Sequence, residues 1–324
     1  KLYFNQTALK NIETHKHLGI TLNTKCTWNE HIHKISLSAM KTLNSMRLFK
    51  NYIDRKSLEQ MYKSYVRPKL EYGGQVWDNC TIENRKKLEN IQLEAARIIT
   101  GAVKGTSHAK LYEETKFELL ETRRHKQQLI TLYKMKNELG PRYLSELIHI
   151  PENNNYPLRN QDDMHIKSVQ AKTELYKNSF LPATIERWNK LNISVKNKPF
   201  PLFKQIIYES TKTPEYYYYG QRLFQVIHAK LRMECSDLNY HLYIRFLNDD
   251  PKCQCGFAVE TPEHYLLKCP LYRLPRERHI FTIADRNHLS LNVLLYGNTE
   301  APDEVNENIF KGVQNFIKET KRFI

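Results

Sequence analysis

The segment 253–270, CQCGFAVETPEHYLLKCP, contains three of the chain's six cysteines and one of its thirteen histidines. Its ligand-type side chains have the spacing Cys-x-Cys-x8-His-x4-Cys. Cys253 and Cys255 fall in a tight turn that Gly256 can close, because glycine adopts the backbone angles that such turns require. Thiolates and imidazoles are the ligands that zinc prefers in proteins. The segment therefore predicts a small metal-centred fold.

The second half of this segment predicts a short helix with the other two ligands. Thr261 and Pro262 are suited to the N-cap and first helical position. His264 and Cys269 lie five residues apart, about 140° around an ideal α-helix. Both can face one ion only if Cys269 lies on a loosened last turn, where Pro270 breaks the helix. We expect one structural Zn²⁺, with no open coordination position, bound by the four ligands of the motif.

Other cysteines and histidines offer alternatives to this ligand set. Cys235 or His228 can replace one of the four ligands, whereas Cys26 and Cys80 are interpreted as small core residues. Six cysteines with a single tight cluster do not form a secreted disulfide framework in a chain of 324 residues. We therefore expect an intracellular protein, nuclear or cytoplasmic.

The composition favours a mainly helical and basic chain. Its 324 residues are 40% hydrophobic, which is enough for a core divided among two or three subdomains. Only 10 residues are glycine, which argues against a turn-rich β-sandwich. Lys and Arg number 50 against 35 Asp and Glu, and residues 1–70 alone contain 13 basic and 4 acidic side chains. This excess indicates a polyanion as partner.

Two features concern the chain's context. No run of about eighteen apolar residues is present, so no membrane partner is expected. The chain opens with KLYFNQTALK rather than with methionine, which leads us to expect a fragment of a longer protein.

Apolar residues at helical spacing occupy much of the chain. Capping residues and glycine or proline stops mark where the helices are expected to begin and end. The expected bounds are a first helix from Asn29, a second from near Asp54 to Pro68, a third from Thr81 to Gly101, a fourth over about 117–139, and a last amphipathic helix from Asp303. Before them, KHLGITLN (16–23) alternates apolar and polar side chains around Gly19 and is bounded by NTK (23–25), which suits a short strand followed by a turn.

Five stretches together resemble one protein family. They are KHLGITLNTKCTWNEHI, MYKSYVRPKLEYGGQVWDNC, LENIQLEAARIITGA, SFLPATIERWNKL and CQCGFAVETPEHYLLKCPLYRLPR. In this order they resemble the carboxy-terminal half of LINE-type (non-LTR) retrotransposon reverse transcriptases, the jockey-like group in particular. The resemblance covers most of the chain. It implies that Leu18 and Gly19 belong to the end of the palm near the primer grip, followed by a thumb and a terminal Cys/His motif.

The resemblance also implies what this chain lacks. The family's fingers and palm aspartates, including its Phe/Tyr-x-Asp-Asp motif, are expected before residue 1, so the missing upstream polymerase portion is an expected partner if the chain is a fragment. Asp162-Asp163 lies in an asparagine-rich turn and Asp249-Asp250 precedes the zinc turn, so both pairs are poor candidates for a two-metal dyad. We assign no catalytic residue. The parent family is an RNA-directed DNA polymerase, but this chain alone is expected to be inactive.

The expected fold is mainly α, with a helical thumb-like region after a short β element and a small C-terminal zinc-stabilised helical domain. The turn-forming stretch IPENNNYPLRNQDD from Ile150 is poor in apolar spacing and marks a boundary. The predicted regions are an end-of-palm β element at 1–28, a thumb-like domain at 29–150, a connector with short helices at 151–213, and a Cys/His zinc domain with the terminal helix at 214–324.

The resemblance implies that the thumb-like helices bind nucleic acid, an RNA or an RNA–DNA hybrid. Basic side chains there would contact phosphates rather than bases. The aromatic run Tyr216 to Tyr219 could stack on unpaired bases. Consecutive residues of a strand or loop cannot all face one way, however, so we expect at least half of these tyrosines to pack. The candidate phosphate contacts are Lys34, Arg47, Lys50, Arg55, Lys56, Arg85, Lys86, Lys87, Arg97 and Lys104.

Two functional interpretations stay open. In the first, the chain is a fragment or remnant of a retrotransposon reverse transcriptase whose remaining role is nucleic-acid binding. In the alternative, it is a zinc-stabilised protein-interaction scaffold with an incidental basic surface. A third interpretation, an unrecognised nuclease, would need carboxylates that the sequence does not assemble.

Overall fold

The computed structural model describes residues 3–8, 11–149, 164–283 and 289–323. These residues are mainly α-helical, which confirms the predicted fold class. The short strands are β1 (Tyr3–Phe4), β2 (Thr7–Ala8), β3 (Thr14–His17) and β4 (Ile20–Asn23). The predicted boundary at Ile150 and the Asp162-Asp163 pair lie outside the described residues.

Helical segments follow the strands along the rest of the chain. The α-helices are α1 (Asn29–Phe49), α2 (Arg55–Met61), α3 (Arg67–Glu71), α4 (Gly74–Trp77), α5 (Ile82–Thr100), α6 (His108–Thr115), α7 (Leu120–Lys136), α8 (Arg142–Ser145), α9 (Glu174–Lys177), α10 (Phe180–Asn189), α11 (Ile193–Lys196), α12 (Phe200–Tyr208), α13 (Arg222–Arg232), α14 (Asn239–Tyr243), α15 (Arg273–His279), α16 (Leu291–Tyr296) and α17 (Asp303–Thr320). Two π-helical turns (Tyr62–Val66, His264–Lys268) and two 3₁₀ turns (Glu215–Tyr218, Pro270–Tyr272) complete the set.

The chain divides into two compact units, each built from three chain segments. The first unit contains Lys1–Ala39, Pro68–Ile91 and Glu118–Ser210. The second unit contains Met40–Arg67, Gln92–Phe117 and Thr211–Ile324. Both units therefore include parts of more than one of the four consecutive regions predicted from the sequence.

A β-hairpin in the first unit includes the predicted strand segment, but Leu18 and Gly19, expected within that strand, form the turn. Strands β3 and β4 pair in antiparallel register, with His17 opposite Ile20. The two loop residues, Leu18 (φ 44°) and Gly19 (φ 87°), both have positive φ. This conformation matches the right-handed twist of the flanking strands. The Tyr72 hydroxyl donates a hydrogen bond of 2.9 Å to the Leu18 carbonyl, while the Leu18 side chain is exposed.

Most predicted helix starts and stops are confirmed. Asp54 is the N-cap of α2, and its carboxylate accepts a hydrogen bond of 3.0 Å from the Ser57 backbone N–H. The Thr81 hydroxyl accepts from the Asn84 N–H at 3.4 Å, and Gly101, with φ of 74°, follows the last residue of α5. The fourth predicted helix is α7, which is shorter than expected at both ends. Local capping chemistry therefore sets these boundaries.

The prediction that the second helix stops at Pro68 is wrong. Helix α2 continues through the π-helical turn Tyr62–Val66 into α3, which contains Pro68. Within a regular α-helix a proline ring clashes with the carbonyl four residues earlier. The helix before Pro68 is not regular, because the Arg67 N–H donates to the Tyr62 carbonyl, five residues earlier, in the preceding π turn. The helical path can then pass through proline.

The core of the first unit forms where α7 packs against α10 and α12. The Tyr133 ring stacks on Phe203 with a centroid distance of 4.4 Å, and the fully buried Trp188 lies 5.8 Å from Phe203. Cys80 is buried as predicted, but the prediction that Cys26 is a core residue is wrong. Cys26 is exposed because it lies in the turn after β4, with φ of 52°.

The core of the second unit surrounds α17. The 3₁₀ turn Glu215–Tyr218, together with α13, α15 and α16, packs against this helix. Tyr216 and Tyr217 are buried against Phe310, at centroid distances of 5.0 and 5.5 Å. The tyrosine run therefore forms a helical turn rather than the expected strand or loop. The expectation that at least half of it packs is confirmed.

A buried ion triad lies within the second unit. Glu114 forms an ion pair with Arg55, and its two carboxylate oxygens accept hydrogen bonds of 2.6 and 2.7 Å from Arg232. The Arg232 guanidinium also lies 4.1 Å from the centroid of the Tyr217 ring. Burial alone would raise the pKa of Glu114, but the two guanidinium groups lower it below its ordinary value. Glu114 is thus the counter-charge for two buried cations.

Replacing this carboxylate should destabilise the second unit strongly. We expect Glu114→Gln to lower the free energy of unfolding by about 3–5 kcal/mol, because two buried guanidinium groups lose their counter-charge. Urea unfolding followed by circular dichroism measures this loss. The control is Glu113→Gln, the same substitution at the neighbouring exposed position. Equal stabilities of the two variants would contradict the role assigned to Glu114.

The same triad predicts a pH dependence. Because the folded-state pKa of Glu114 lies below the unfolded value, its contribution is complete above the unfolded pKa and is lost as the pH falls through the folded pKa. Wild-type stability should therefore fall toward acid pH more steeply than that of Glu114→Gln.

No helix within the described ranges combines the length and the apolar composition needed to cross a membrane.

Candidate metal centre

Four side chains of the Cys/His segment meet in the structure. One ligand atom from each of Cys253, Cys255, His264 and Cys269 lies within 4.8 Å of the others. The Cys253 and Cys269 sulfurs are 3.7 Å apart, and the Cys255 sulfur is 3.2 Å from His264 Nε2. In the part of the chain that the structure describes, this is the only such group of three or more His, Cys, Asp or Glu side chains. The cluster can bind a metal ion.

The first two ligands lie on a closed turn. The Gly256 N–H donates to the Cys253 carbonyl at 2.9 Å, and the Cys253 N–H donates to the Phe257 carbonyl at 2.9 Å. Gly256 has φ of 89°, a left-handed conformation that glycine adopts without strain. The residue that the sequence analysis assigned to the turn therefore closes it, and both thiols project from one short loop.

A π-helical turn brings the other two ligands together. The Thr261 hydroxyl accepts a hydrogen bond of 3.1 Å from the His264 N–H, which confirms its capping role. The Cys269 N–H donates to the His264 carbonyl at 2.7 Å, a bond that spans five residues. Cys269 itself is extended, with φ of −60° and ψ of 123°. The loosened last turn expected from the spacing is thus a π turn, which places residues five apart on the same side.

Arg276 stabilises this turn by donating hydrogen bonds to its backbone carbonyls. Its side chain is only 4% exposed. Nε donates to the Leu266 carbonyl at 2.7 Å, and one terminal nitrogen donates to the carbonyls of Cys269 at 2.8 Å and Tyr265 at 3.3 Å. Carbonyls at the end of a helical turn have no partner within the helix. Arg276 supplies these partners and fixes the backbone between His264 and Cys269.

A second ion pair fixes the loop that precedes this turn. Glu260, directly before the capping Thr261, is buried. Arg322 donates to both of its carboxylate oxygens, at 2.8 and 2.7 Å, and the Asn239 N–H donates to one of them at 2.7 Å. The ligand loop is therefore anchored to residues near the end of the chain.

The electrostatics of the cluster favour the neutral forms of Cys253, His264 and Cys269. Burial lowers the pKa of His264, whose ring stacks on Phe257 at a centroid distance of 4.4 Å. Burial raises the pKa of the Cys253 thiol to about 12, and burial also raises that of Cys269. Burial works in the same direction at Cys255, but hydrogen bonds from the Phe257 backbone and the neighbouring thiols lower its pKa overall. Metal binding would therefore displace thiol protons.

The alternative ligands lie elsewhere in the second unit. Cys235 packs in an apolar cluster with Leu93 and Met233. His228 lies 4.3 Å from the Phe310 ring, and its Nε2 lies 3.0 Å from the Leu294 carbonyl oxygen. Neither side chain belongs to the ligand group. The four ligands of the motif are thus the ones that the fold brings together.

Three residues that shape this centre, Glu260, Arg276 and Arg322, were not predicted from the sequence. Their only signal in the sequence is charge close to the motif or to the chain end. Other charged residues, such as Arg273, share that signal but are exposed. Burial distinguishes Glu260 and Arg276, and the ion pair with the buried Glu260 distinguishes Arg322; the sequence displays neither property.

The candidate phosphate contacts fall into three groups. Arg55 is excluded as a phosphate contact, because its guanidinium is buried in the ion triad with Glu114. Five others are paired with carboxylates: Lys34 with Glu30 at 2.6 Å, Arg47 and Arg97 with Glu94 at 2.6 and 3.2 Å, Lys56 with Glu215 at 2.8 Å, and Arg85 with Glu121 at 2.7 Å.

Four lysines form the last group. Lys86 and Lys87 are exposed on α5 in the first unit, and Lys50 and Lys104 are exposed in the second unit. None of the four forms an ion pair with another described residue. Their charges are therefore the least neutralised among the candidates.

The remaining candidates occupy exposed loops. Leu18 and Gly19 form the turn of the β3–β4 hairpin, where a Cβ added at Gly19 would lie 3.1 Å from the Tyr72 ring. Asp249 and Asp250 are both exposed, and Asp250 accepts a hydrogen bond of 2.9 Å from the Lys252 N–H. Within the described ranges the structure brings neither aspartate into a metal-ligating group.

Comparisons of the chain with protein-family models, with curated proteins and with solved structures find no match.

Proposed function

We propose that the chain is a nucleic-acid-binding portion of a LINE-type reverse transcriptase, stabilised by one structural zinc ion at Cys253, Cys255, His264 and Cys269. The observation that carries the proposal is the convergence of these four ligand atoms within 4.8 Å of one another. The assignment to reverse transcriptases rests on the resemblance of the five sequence stretches. The chain's own predicted role is binding, without catalysis.

The spacing of the ligand atoms fits zinc. A tetrahedral site with Zn–S bonds of about 2.3 Å has S···S edges of about 3.8 Å. The Cys253 and Cys269 sulfurs are 3.7 Å apart. Three sulfurs and one imidazole nitrogen suit zinc better than calcium or magnesium, which prefer oxygen ligands. Four protein ligands leave no open position, so the ion would have a structural role.

Zinc binding would stabilise the core of the second unit through the π turn. Tyr265, next to His264, is fully buried, and its ring centroid lies 5.1 Å from that of Phe316 in α17. Its hydroxyl lies 2.6 Å from the Thr320 hydroxyl. Because the ligand turn and the α17 core share this side chain, metal-binding energy would appear as folding energy.

The nucleic-acid part of the proposal is supported by unpaired positive charge on helices. Lys86 and Lys87 are adjacent and exposed near the start of α5, where they form no ion pair with a described residue and interact only electrostatically with Glu83. Exposed lysines of this kind are suited to phosphate contacts. Such contacts release counterions, so binding would be strongly salt-dependent.

A second candidate function is the protein-interaction scaffold, which an apolar surface segment favours. Tyr243, Ile244, Phe246 and Leu247 are all exposed, and Phe246 has 96% of its surface accessible. Clustered exposed apolar side chains are typical of protein interaction sites.

The metal proposal predicts a zinc stoichiometry. Freshly purified protein should contain about one zinc ion per chain by elemental analysis, and Cys255→Ser should lose most of it because the site loses one of four ligands. The control is Cys26→Ser, which removes an exposed cysteine outside the cluster. Less than half an equivalent in the wild type, or equal zinc in the two variants, would refute the assignment.

Arg276 predicts an effect on metal affinity without contact to the metal. Arg276→Met should weaken Co²⁺ binding by about 10–100-fold, because the backbone between two ligands loses its hydrogen-bond donors. Arg276→Lys should recover only part of the affinity, since it has fewer directed donors. Titration followed by the Co²⁺ absorption bands measures both affinity and ligand geometry.

The control for this experiment is Arg273→Met on the same helix. The Arg273 side chain is exposed and pairs only with Glu277 among the described residues, at 3.1 Å. Equal Co²⁺ affinities of Arg276→Met and Arg273→Met would show that Arg276 does not position the ligands.

The nucleic-acid proposal predicts a change in salt dependence. Lys86→Ala/Lys87→Ala should weaken binding to a primed RNA–DNA hybrid for all sequences alike, and should lower the log-log salt slope by about one to two. Fluorescence anisotropy over a salt series measures both. The control, Lys177→Ala/Lys190→Ala, removes equal charge from two exposed positions elsewhere in the first unit. If the wild-type protein does not bind the hybrid at low salt, the scaffold function is favoured. If both double variants have the same salt slope, α5 is not part of the binding surface.

A further inference from the structure

A polar groove lies between α15 and α17 in the second unit, outside the metal centre. Its volume is about 400 Å³, which is within the range of small-ligand sites. One wall comes from α15 and the turn after it, and the other from a single face of α17. The lining residues are Arg278, His279, Thr282, Ile283, Asn308, Lys311, Gly312 and Asn315.

Gly312 forms the floor of this groove. A Cβ added at Gly312 would lie 2.5 Å from the His279 carbonyl oxygen and would collide with the Ile283 side chain. Only a residue without a side chain allows the two walls to approach so closely. The floor is therefore closed, and a ligand would contact the side chains above it.

Hydrogen-bond donors and positive charge dominate the walls. Arg278 and Lys311 supply cations, and Asn308 and Asn315 supply amides. No carboxylate among the described residues lines the groove. Asn308, Lys311 and Asn315 recur every three or four residues, so they share one face of α17. Within the described part of the chain, their side chains make no hydrogen bond or ion pair, which leaves their donors available.

A carboxylate outside the groove orients one wall. Glu319 accepts a hydrogen bond of 2.8 Å from one terminal nitrogen of Arg278, and its other oxygen lies 2.5 Å from His279 Nε2. A guanidinium has five N–H donors in a fixed plane. Because Glu319 binds one edge of the Arg278 guanidinium, the other N–H donors remain available at the rim of the groove. The cation is thus positioned before any ligand arrives.

We infer that this groove binds a phosphate group. The cation of Lys311, the Arg278 donors that Glu319 leaves free, two amides and the lack of a lining carboxylate match a tetrahedral anion with several acceptor oxygens. The phosphate can belong to a nucleic-acid strand, a source that rests on the proposed function, or be a free phosphate ion. In either case, Lys311 and Arg278 contact the anion directly.

The test uses the full chain and two binding probes. The first is a labelled single-stranded RNA, titrated over a salt series by fluorescence anisotropy. The second is inorganic phosphate, followed through the amide resonances of Gly312 and Asn315 by nuclear magnetic resonance. The informative variant is Lys311→Gln, because Lys311 pairs with no described carboxylate and its removal breaks no ion pair. Arg278→Gln is the second variant. The control is Lys318→Gln, which removes an exposed charge from α17 outside the groove.

The expected result is weaker RNA binding by Lys311→Gln and Arg278→Gln, each with a salt slope lower by about one. Lys318→Gln should keep both the affinity and the slope. If the groove variants match Lys318→Gln on RNA, and phosphate leaves the Gly312 and Asn315 resonances unchanged, the inference is overturned.

The phosphate probe separates this inference from the proposed function. If wild-type protein binds no RNA at low salt, nucleic-acid binding fails. Resonance shifts with inorganic phosphate that disappear in Lys311→Gln would then support a free phosphate ligand, and the absence of shifts would overturn the groove as an anion site.

Discussion

One backbone hydrogen bond, from the Cys269 N–H to the His264 carbonyl, determines the geometry of the candidate metal centre. It spans five residues, so the two ligands face the same side, which an α-helical turn would not allow. A π turn is less stable than an α turn, and here Arg276 donates to three of the carbonyls around it. The cysteine turn, Glu260 and the α17 core then fit around this fixed segment.

The basic residues of the chain have two different roles. Arginines such as Arg55, Arg232 and Arg276 are buried and bind carboxylates or carbonyls, because a planar guanidinium can satisfy several partners at once. Lysines such as Lys86 and Lys311 are exposed and form no ion pair with another described residue. The net charge of +15 therefore overstates the surface available to a polyanion. Nucleic-acid binding would depend on the individual exposed lysines and on the Arg278 donors that its ion pair with Glu319 leaves free.

The sequence predicted the parts of this structure that depend on local chemistry. The four ligands and the capping residues Thr261 and Asp54 follow from residue types at short spacing. Features set by tertiary contacts were not predictable. Arg55 is the first residue of a helix, directly after the capping Asp54, a position that gives no sign of burial. In the structure it is buried and pairs with Glu114, which is distant in the chain. Pro68 is an ordinary stop signal, and only the preceding π turn lets the helix continue. Arg273 and Arg278 lie close to Arg276 in the sequence, and only burial distinguishes Arg276 from them.

The candidate metal centre would bind its ion through three sulfurs and one nitrogen. X-ray absorption at the zinc edge of the purified protein measures this coordination directly. We predict about three sulfur scatterers near 2.3 Å and one nitrogen near 2.0 Å. A shell made only of oxygen and nitrogen scatterers, or protein without bound zinc, would contradict the account.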